Sequence, residues 1–327
     1  MRVTYNKQVF ERNVKQRNFG FGKQPSFATA MVLRAAFGNG NYQTRHTHQQ
    51  RFKNFIAFCH DTHSVTDMRE VTPSVISHYV NTLSIGVEHG QYKISYAQNL
   101  LSTVNVVMEC FRGDKKLFLS PSKTLGRRSY IRTRDPRCTF LQLKAVIAEA
   151  KPLGLERVAA VAALAYSFGM RFREAALADL ERLKKEAQSG CVTILEGCKG
   201  GRMSEDRQID MEEEQQFALA YALSVKPLHS KNLLALDERY IDFRQRDARK
   251  LRPILKKHGI RHFHELRAAR LVWIYESEAG TLPPFLGGAP SKKADKLGRQ
   301  KTSIAAGHGS QRPGVSYVGG KRCDERN

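Results

Sequence analysis

The chain has 327 residues, and its 54 Lys+Arg against 31 Asp+Glu leave a formal net charge of +23. At roughly 100–200 residues per domain this length suggests two domains, and 41% hydrophobic residues suffice for ordinary cores, which excludes wholesale disorder. The charge calls for an acidic partner, either nucleic acid or an anionic membrane surface.

A spanning helix needs roughly 20 apolar residues. The best uncharged run, Val158 to Met170, is closed by Arg157 and Arg171 and is too short, so it reads as a buried core helix. The start, Met1-Arg2-Val3-Thr4-Tyr5-Asn6-Lys7, has no apolar h-region, so no secretory signal is expected. The six cysteines (Cys59, Cys110, Cys138, Cys191, Cys198, Cys323) form no CxxC pair, and reduced thiols in a cytosolic protein are the simplest reading.

In chain order, residues 1–40 are basic, rich in Phe, Asn and Gly, and weakly periodic; they read as an N-terminal arm. Residues 41–113 read as a small all-helical domain. Phe52, Phe55, Ile56 and Cys59 fall at i, i+3, i+4, i+7 on one helix face. Thr72-Pro73 signals a second helix, since Thr can cap and Pro fits the first helical position; Val75, Ile76, Tyr79, Val80 and Leu83 form its stripe. A third helix runs near Lys93 to Arg112, with Ile94, Ala97, Leu101, Val104, Met108 and Phe111 inward. Residues 114–138 then read as an extended basic linker holding Lys115, Lys116, Lys123, Arg127, Arg128, Arg132, Arg134 and Arg137, punctuated by Pro121 and Pro136. So many like charges repel one another without a counter-anion, which favours phosphate contact.

The second domain, 139–327, opens with Thr139 as the cap of a helix through Ala150, followed by a buried helix over Leu155 to Phe168. Cys191 to Glu196 reads as a strand, Cys198-Lys199-Gly200-Gly201 as a tight turn, and Arg207 to Met211 as the returning strand. Helices are expected near Glu213–Ser224, Asp237–His258 and His264–Glu278. Residues 280–303, rich in Gly, Pro and Lys, read as a loop, with at most one short helix after Ala305. The whole is mainly α, an α+β chain with a small β-hairpin, and no repeat at a solenoid period is visible.

Five separated elements carry residues suited to chemistry. Gly169-Met170-Arg171-Phe172-Arg173-Glu174 ends the apolar helix, and Lys199-Gly200-Gly201-Arg202 forms the hairpin turn. His264-Glu265-Leu266-Arg267 opens a helix, its i, i+3 spacing placing His and Arg on one face. Gly307-His308 lies nine residues before Tyr317. Each signal alone is weak, but their order and spacing resemble the tyrosine recombinases, or phage-type integrases, over roughly residues 44–320.

That resemblance implies a helical SAM-like core-binding domain followed by a mixed, mostly helical catalytic domain. Arg171 matches the first catalytic arginine and Glu174 its acidic support. Lys199 matches the hairpin lysine, His264 and Arg267 the HxxR pair, His308 the next histidine, and Tyr317 the nucleophile. The implied reaction is attack of the tyrosine on a DNA phosphodiester, forming a 3′-phosphotyrosyl link and freeing a 5′-hydroxyl. Four protomers on two specific duplex sites would exchange strands through a Holliday junction, without cofactor or metal, aided in some members by DNA-bending proteins. The implied setting is the bacterial cytoplasm and nucleoid, integrating or excising a mobile element or prophage. Lys115, Lys116, Arg127, Arg128, Arg132, Arg134 and Arg202 are the expected DNA contacts.

The chemistry supports these roles independently. Attack on a phosphodiester builds negative charge on the non-bridging oxygens, which preorganised cations stabilise. The arginine fork meets two oxygens at once and stays charged. A free tyrosine has a pKa of about 10, so nearby cations and a proton acceptor such as His264 are needed. Lys199 is the expected acid for the leaving 5′-oxygen. His258, His262 and His264, and His46, His48, His60 and His63, are conceivable metal ligands, but no spacing matches a zinc module. Tyr221, Tyr240 and Tyr275 are rival nucleophiles only in principle. Two other functions share these features: an inactive integrase-fold DNA-binding protein, and a type IB topoisomerase.

Overall fold

The computed structural model describes residues 10–129, 131–198, 207–308 and 314–320. The chain divides into two units, residues 1–129 and 130–327.

The first unit is built from helices α1 (Pro25–Phe37), α2 (Tyr42–His63), α3 (Pro73–Glu88), α4 (Ile94–Arg112) and the single turn α5 (Pro121–Thr124). Thr72 caps α3 by accepting from the Val75 amide, and Pro73 occupies the first helical position, where its missing N–H costs nothing. Phe52, Phe55 and Cys59 of α2 meet Ile76, Tyr79 and Leu83 of α3 and Leu101, Val104, Met108 and Phe111 of α4 in one core.

Two sequence expectations change here. The described part of 1–40 is not a loose arm, because Phe19 and the α1 residues Ala28, Val32, Leu33, Ala36 and Phe37 are buried in the same core. The buried Asn18 locks this segment in place: its amide donates to Asp67 Oδ1 (2.8 Å) and its Oδ1 accepts from the Met68 amide (2.8 Å). The linker is likewise divided. Leu117 and Leu125 are buried in the first core, so its first part folds with the first unit, whereas 131–138 belongs to the second.

The second unit contains α6 (Phe140–Ala150), α7 (Glu156–Ser167), α8 (Phe172–Leu177), α9 (Leu180–Ala187), β1 (Cys191–Thr193), β2 (Gln208–Asp210), α10 (Glu213–Val225), α11 (Tyr240–Lys257), α12 (Phe263–Ala279), α13 (Lys292–Ala305) and α14 (Val315–Val318). Thr139 and Gln142 form a reciprocal capping box at the start of α6, satisfying two amides that lack helical partners. Helix α7 is the buried centre: Val158 through Ala165 are all shielded from solvent, as the uncharged run predicts. β1 and β2 pair antiparallel with Val192 opposite Ile209.

The expected loop over 280–303 is corrected: residues from Lys292 onward form α13, capped by the Ser291 side chain on the Ala294 amide. Its inward face is Asp295, Gly298, Arg299 and Thr302, which carries no hydrophobic period. Tyr275 donates to Asp295 (2.6 Å) and Arg299 pairs with it (2.8 Å), so the polar face is satisfied by partners instead of being solvated. None of the described helices is long and apolar enough to cross a membrane.

Candidate active site

The site assembles where four segments of the second unit converge. After α7, Gly169 turns the chain with φ +63°, which a glycine adopts without strain, and sets Arg171 as the residue before α8. Glu174, fully buried, reaches back so that its Oε2 accepts from the Arg171 amide at 2.7 Å. The Arg171 guanidinium pairs with Glu174 Oε1 and donates to the Ala306 carbonyl at 3.1 Å.

Arg267, one helical turn beyond His264 on α12, is also fully buried. It donates to the Gly169 carbonyl (2.5 Å) and the Ala306 carbonyl (2.6 Å), and its Nη1 lies 3.5 Å from Glu174 Oε2. Its Nε donates to the Tyr317 hydroxyl at 3.3 Å. Tyr317 sits on the four-residue α14, only 4% exposed. Gly314 stands at the N-cap of α14. The His308 ring stacks near Tyr317 at 5.8 Å between centroids, and His264 lies at 5.9 Å.

Arg171, Glu174, His264, Arg267, His308 and Tyr317 therefore come together. Lys199 and Arg202 lie outside the described residues. Of the other expected DNA contacts, Lys115, Lys116 and Arg127 are exposed in the first unit, and Arg128 there is half-buried against Asn99. Arg132 and Arg134 belong to the second unit. Arg132 is half-buried: its amide donates to the Val315 carbonyl (3.3 Å), which ties this stretch to α14, and its Nε to the Arg134 carbonyl (2.8 Å).

The electrostatics follow from these contacts. Burial works to raise the Glu174 pKa, but Arg207, Arg267 and Arg171 outweigh it and hold the carboxyl below its usual range. Burial lowers the Arg267 pKa to about 10, with Arg171 and Arg207 pushing the same way, so it remains a cation at neutral pH. His264 keeps an exposed edge, yet partial burial, then Arg267, His262, Arg132 and Arg171, push its imidazole down to about 4. At neutral pH it is therefore a neutral imidazole, its ring centred 5.9 Å from the Tyr317 ring.

The rival tyrosines are placed otherwise. Tyr275 is buried and donates to Asp295, Tyr221 donates to the Glu156 carbonyl (3.3 Å), and Tyr240 packs on Phe172. Burial raises the pKa of all three, which keeps them protonated. Among the described residues no group of three His, Cys, Asp or Glu is placed to hold a metal ion.

One member of the cluster escapes the sequence reading. Arg207, immediately before β2, is fully buried, with Nη1 3.0 Å from Glu174 Oε2. Strand alternation puts it on the same face as the buried Ile209, and a cation on a core-facing strand position calls for a buried anion. That was the available signal.

Residues 141–272 match the family model described as Integrase. No curated protein matches the chain. Among solved structures, the fold is similar to a lambda integrase tetramer bound to a Holliday junction, at 16% identity over 91% of this chain and 78% of that one, with a TM-score of 0.50. It is also similar to the Tn1549 transposon integrase in complex with circular intermediate DNA, at 12% identity over 90% of this chain and 96% of that one, with a TM-score of 0.55. At these identities the likeness is one of fold.

Proposed function

We propose, from the match of residues 141–272 to the Integrase family model and the order of motifs that resembles the tyrosine recombinases, that this chain is a site-specific DNA recombinase acting through Tyr317. The observation that carries the proposal is the Tyr317 hydroxyl held 3.3 Å from the buried Arg267 Nε, with the His264 and His308 rings centred 5.9 and 5.8 Å from the Tyr317 ring.

In this reading a scissile phosphate enters beside Tyr317. The phenol oxygen attacks phosphorus as its proton passes to His264, which is neutral at physiological pH. Arg171, Arg267 and His308 face the charge that grows on the non-bridging oxygens, and the fixed contacts of the two arginines to Glu174, Gly169 and Ala306 mean that they need little reorganisation. The P–O bond to the 5′-oxygen breaks, and Lys199 supplies the proton that oxygen takes up. The product is a 3′-phosphotyrosyl ester and a 5′-hydroxyl. The ester conserves the bond, so a 5′-hydroxyl from another duplex can reverse the step without an external energy source.

The exposed cations Lys115, Lys116, Arg127 and Arg134 supply phosphate contacts along the duplex, in keeping with the +23 charge. The similar lambda integrase structure is a tetramer on a Holliday junction, which supports four copies on two DNA sites as the working assembly, and the similar Tn1549 integrase is that of a transposon, which supports the integration or excision of a mobile element as the outcome. The test uses nicked duplexes from the ends of the element that encodes the chain. Proteolysis of the trapped adduct should yield a Tyr317 peptide joined to a 3′-phosphate, with a free 5′-hydroxyl on the released strand. A 5′-linked adduct, or none, would overturn the proposal. Relaxation of supercoils without sequence preference would instead indicate a topoisomerase.

A further inference from the structure

The carboxylate of Glu174 is contacted by three guanidinium groups, not the two that motif matching provides. Arg171 and Arg267 reach it from the turn after α7 and from α12. The third, Arg207, stands immediately before β2. Its Nε donates to the Ala305 carbonyl (2.8 Å), its Nη2 to the Gly169 carbonyl (3.2 Å), and its Nη1 makes the 3.0 Å ion pair with Glu174. Nη1 has no aligned hydrogen bond among the described residues, so this contact is a charge pair at close range.

These contacts join three chemistry-bearing segments. The Gly169 carbonyl, which also accepts from Arg267, fixes the turn that presents Arg171. The Ala305 carbonyl lies at the end of α13, two residues before Gly307, and a Cβ on Gly307 would stand 3.3 Å from the Arg207 side chain. That close approach lets the chain pass over Arg207 on its way to His308. Arg207 itself immediately precedes β2.

Resting on the recombinase reading above, the geometry points to Arg207 as a positioning residue that clamps the foot of β2, the Arg171 turn and the His308 segment onto Glu174. It is fully buried and acts through Glu174 and the backbone, not on the phosphate. A guanidinium fits the task because its fork spans two carbonyls and a carboxylate at once; a lysine supplies the charge but not the three-way span. The charged and titratable groups around Glu174 are Arg171, Arg207 and Arg267, with Cys198 nearby from the hairpin side, and Arg207 is the strongest of the charges that hold the carboxyl ionised.

The test compares Arg207→Met and Arg207→Lys in the full chain, with two readouts. The first is adduct formation on the nicked duplexes across pH. Both variants should slow it, Met by about 10²-fold, the scale expected when reacting groups are misplaced by an ångström. The acid-side fall in rate should move to higher pH with Met and stay in place with Lys. The second is the ¹³C-carboxyl titration of Glu174, identified by its loss in Glu174→Gln; it should move to higher pH with Met only. If Met does not fold, Lys carries the test: a slowed rate with an unmoved Glu174 titration supports the assignment, and a wild-type rate overturns it. An unmoved Glu174 titration in folded Arg207→Met also overturns it. Absence of any adduct from the wild-type chain would refute the recombinase reading, while the carboxyl titration would still decide the place of Arg207.

Discussion

At the residue scale, the site is governed by one carboxylate. Glu174 is fully buried, and removing its charge leaves Arg171, Arg207 and Arg267 facing one another without an anion. Breaking a buried pair by deleting one partner costs about 3–5 kcal/mol, so Glu174→Gln should lower unfolding free energy by that amount in urea denaturation. The pH dependence has a definite sign. The folded pKa lies below that of the unfolded chain, so this stabilisation is complete above the ordinary glutamate range and is lost as pH falls through the lower folded value. The Gln variant should lack that component. His264 behaves comparably. Its folded pKa of about 4 lies below the ordinary value near 6.5, so its contribution is full above about 6.5 and declines as pH falls toward 4. An NMR titration of the His264 ring should show it neutral at pH 7 and protonated only near pH 4; an ordinary midpoint would contradict its place as proton acceptor.

At the element scale, the segment that carries Tyr317 is a single turn held by its surroundings. Isolated, four residues form no stable helix, since nucleation costs more than so few hydrogen bonds return. Arg299 of α13 donates to the Gly319 carbonyl (2.9 Å), and the Arg132 amide donates to the Val315 carbonyl. Gly319 has φ +79°, and a Cβ there would lie 2.7 Å from Phe285 Cβ. Gly319→Ala should therefore displace α14 and slow adduct formation by about 10²-fold, with only a small change in melting temperature; an unchanged rate would contradict this support. The same elements explain what the sequence could and could not disclose. α2, α3 and α4 were legible because each carries an apolar stripe at helical spacing. α13 was not, because its buried face is Asp295, Arg299 and Thr302, residues whose partners lie far away in sequence. α1 was hidden because its inward residues include small alanines amid a basic, glycine-rich stretch. Arg207 was hidden because burial of a cation depends on Glu174, 33 positions away in the chain.

At the scale of the whole molecule, the +23 charge divides into two populations. Arg171, partly buried, and Arg207 and Arg267, fully buried, gather on Glu174 at the candidate site of the second unit. The exposed lysines and arginines, Lys115, Lys116 and Arg127 among them, remain available to phosphates. DNA affinity should fall steeply with salt, with a log–log slope of about −0.9 per phosphate contacted. Replacing Lys115 and Lys116 with Gln should make that slope shallower by about two such increments, measured by titration at several salt concentrations. An unchanged slope would remove these two from the contact set. The order of motifs disclosed the resemblance to integrases, but no pattern in the chain reveals which bases are read, because base recognition rests on side-chain positions within a bound complex.

The central claim is that Tyr317 forms a covalent bond to DNA. Wild-type chain, Tyr317→Phe and Tyr275→Phe should be incubated with the same nicked duplexes and resolved under denaturing conditions. A protein–DNA adduct with the wild-type chain and Tyr275→Phe, and none with Tyr317→Phe, is the predicted result. An adduct that survives Tyr317→Phe would contradict the account.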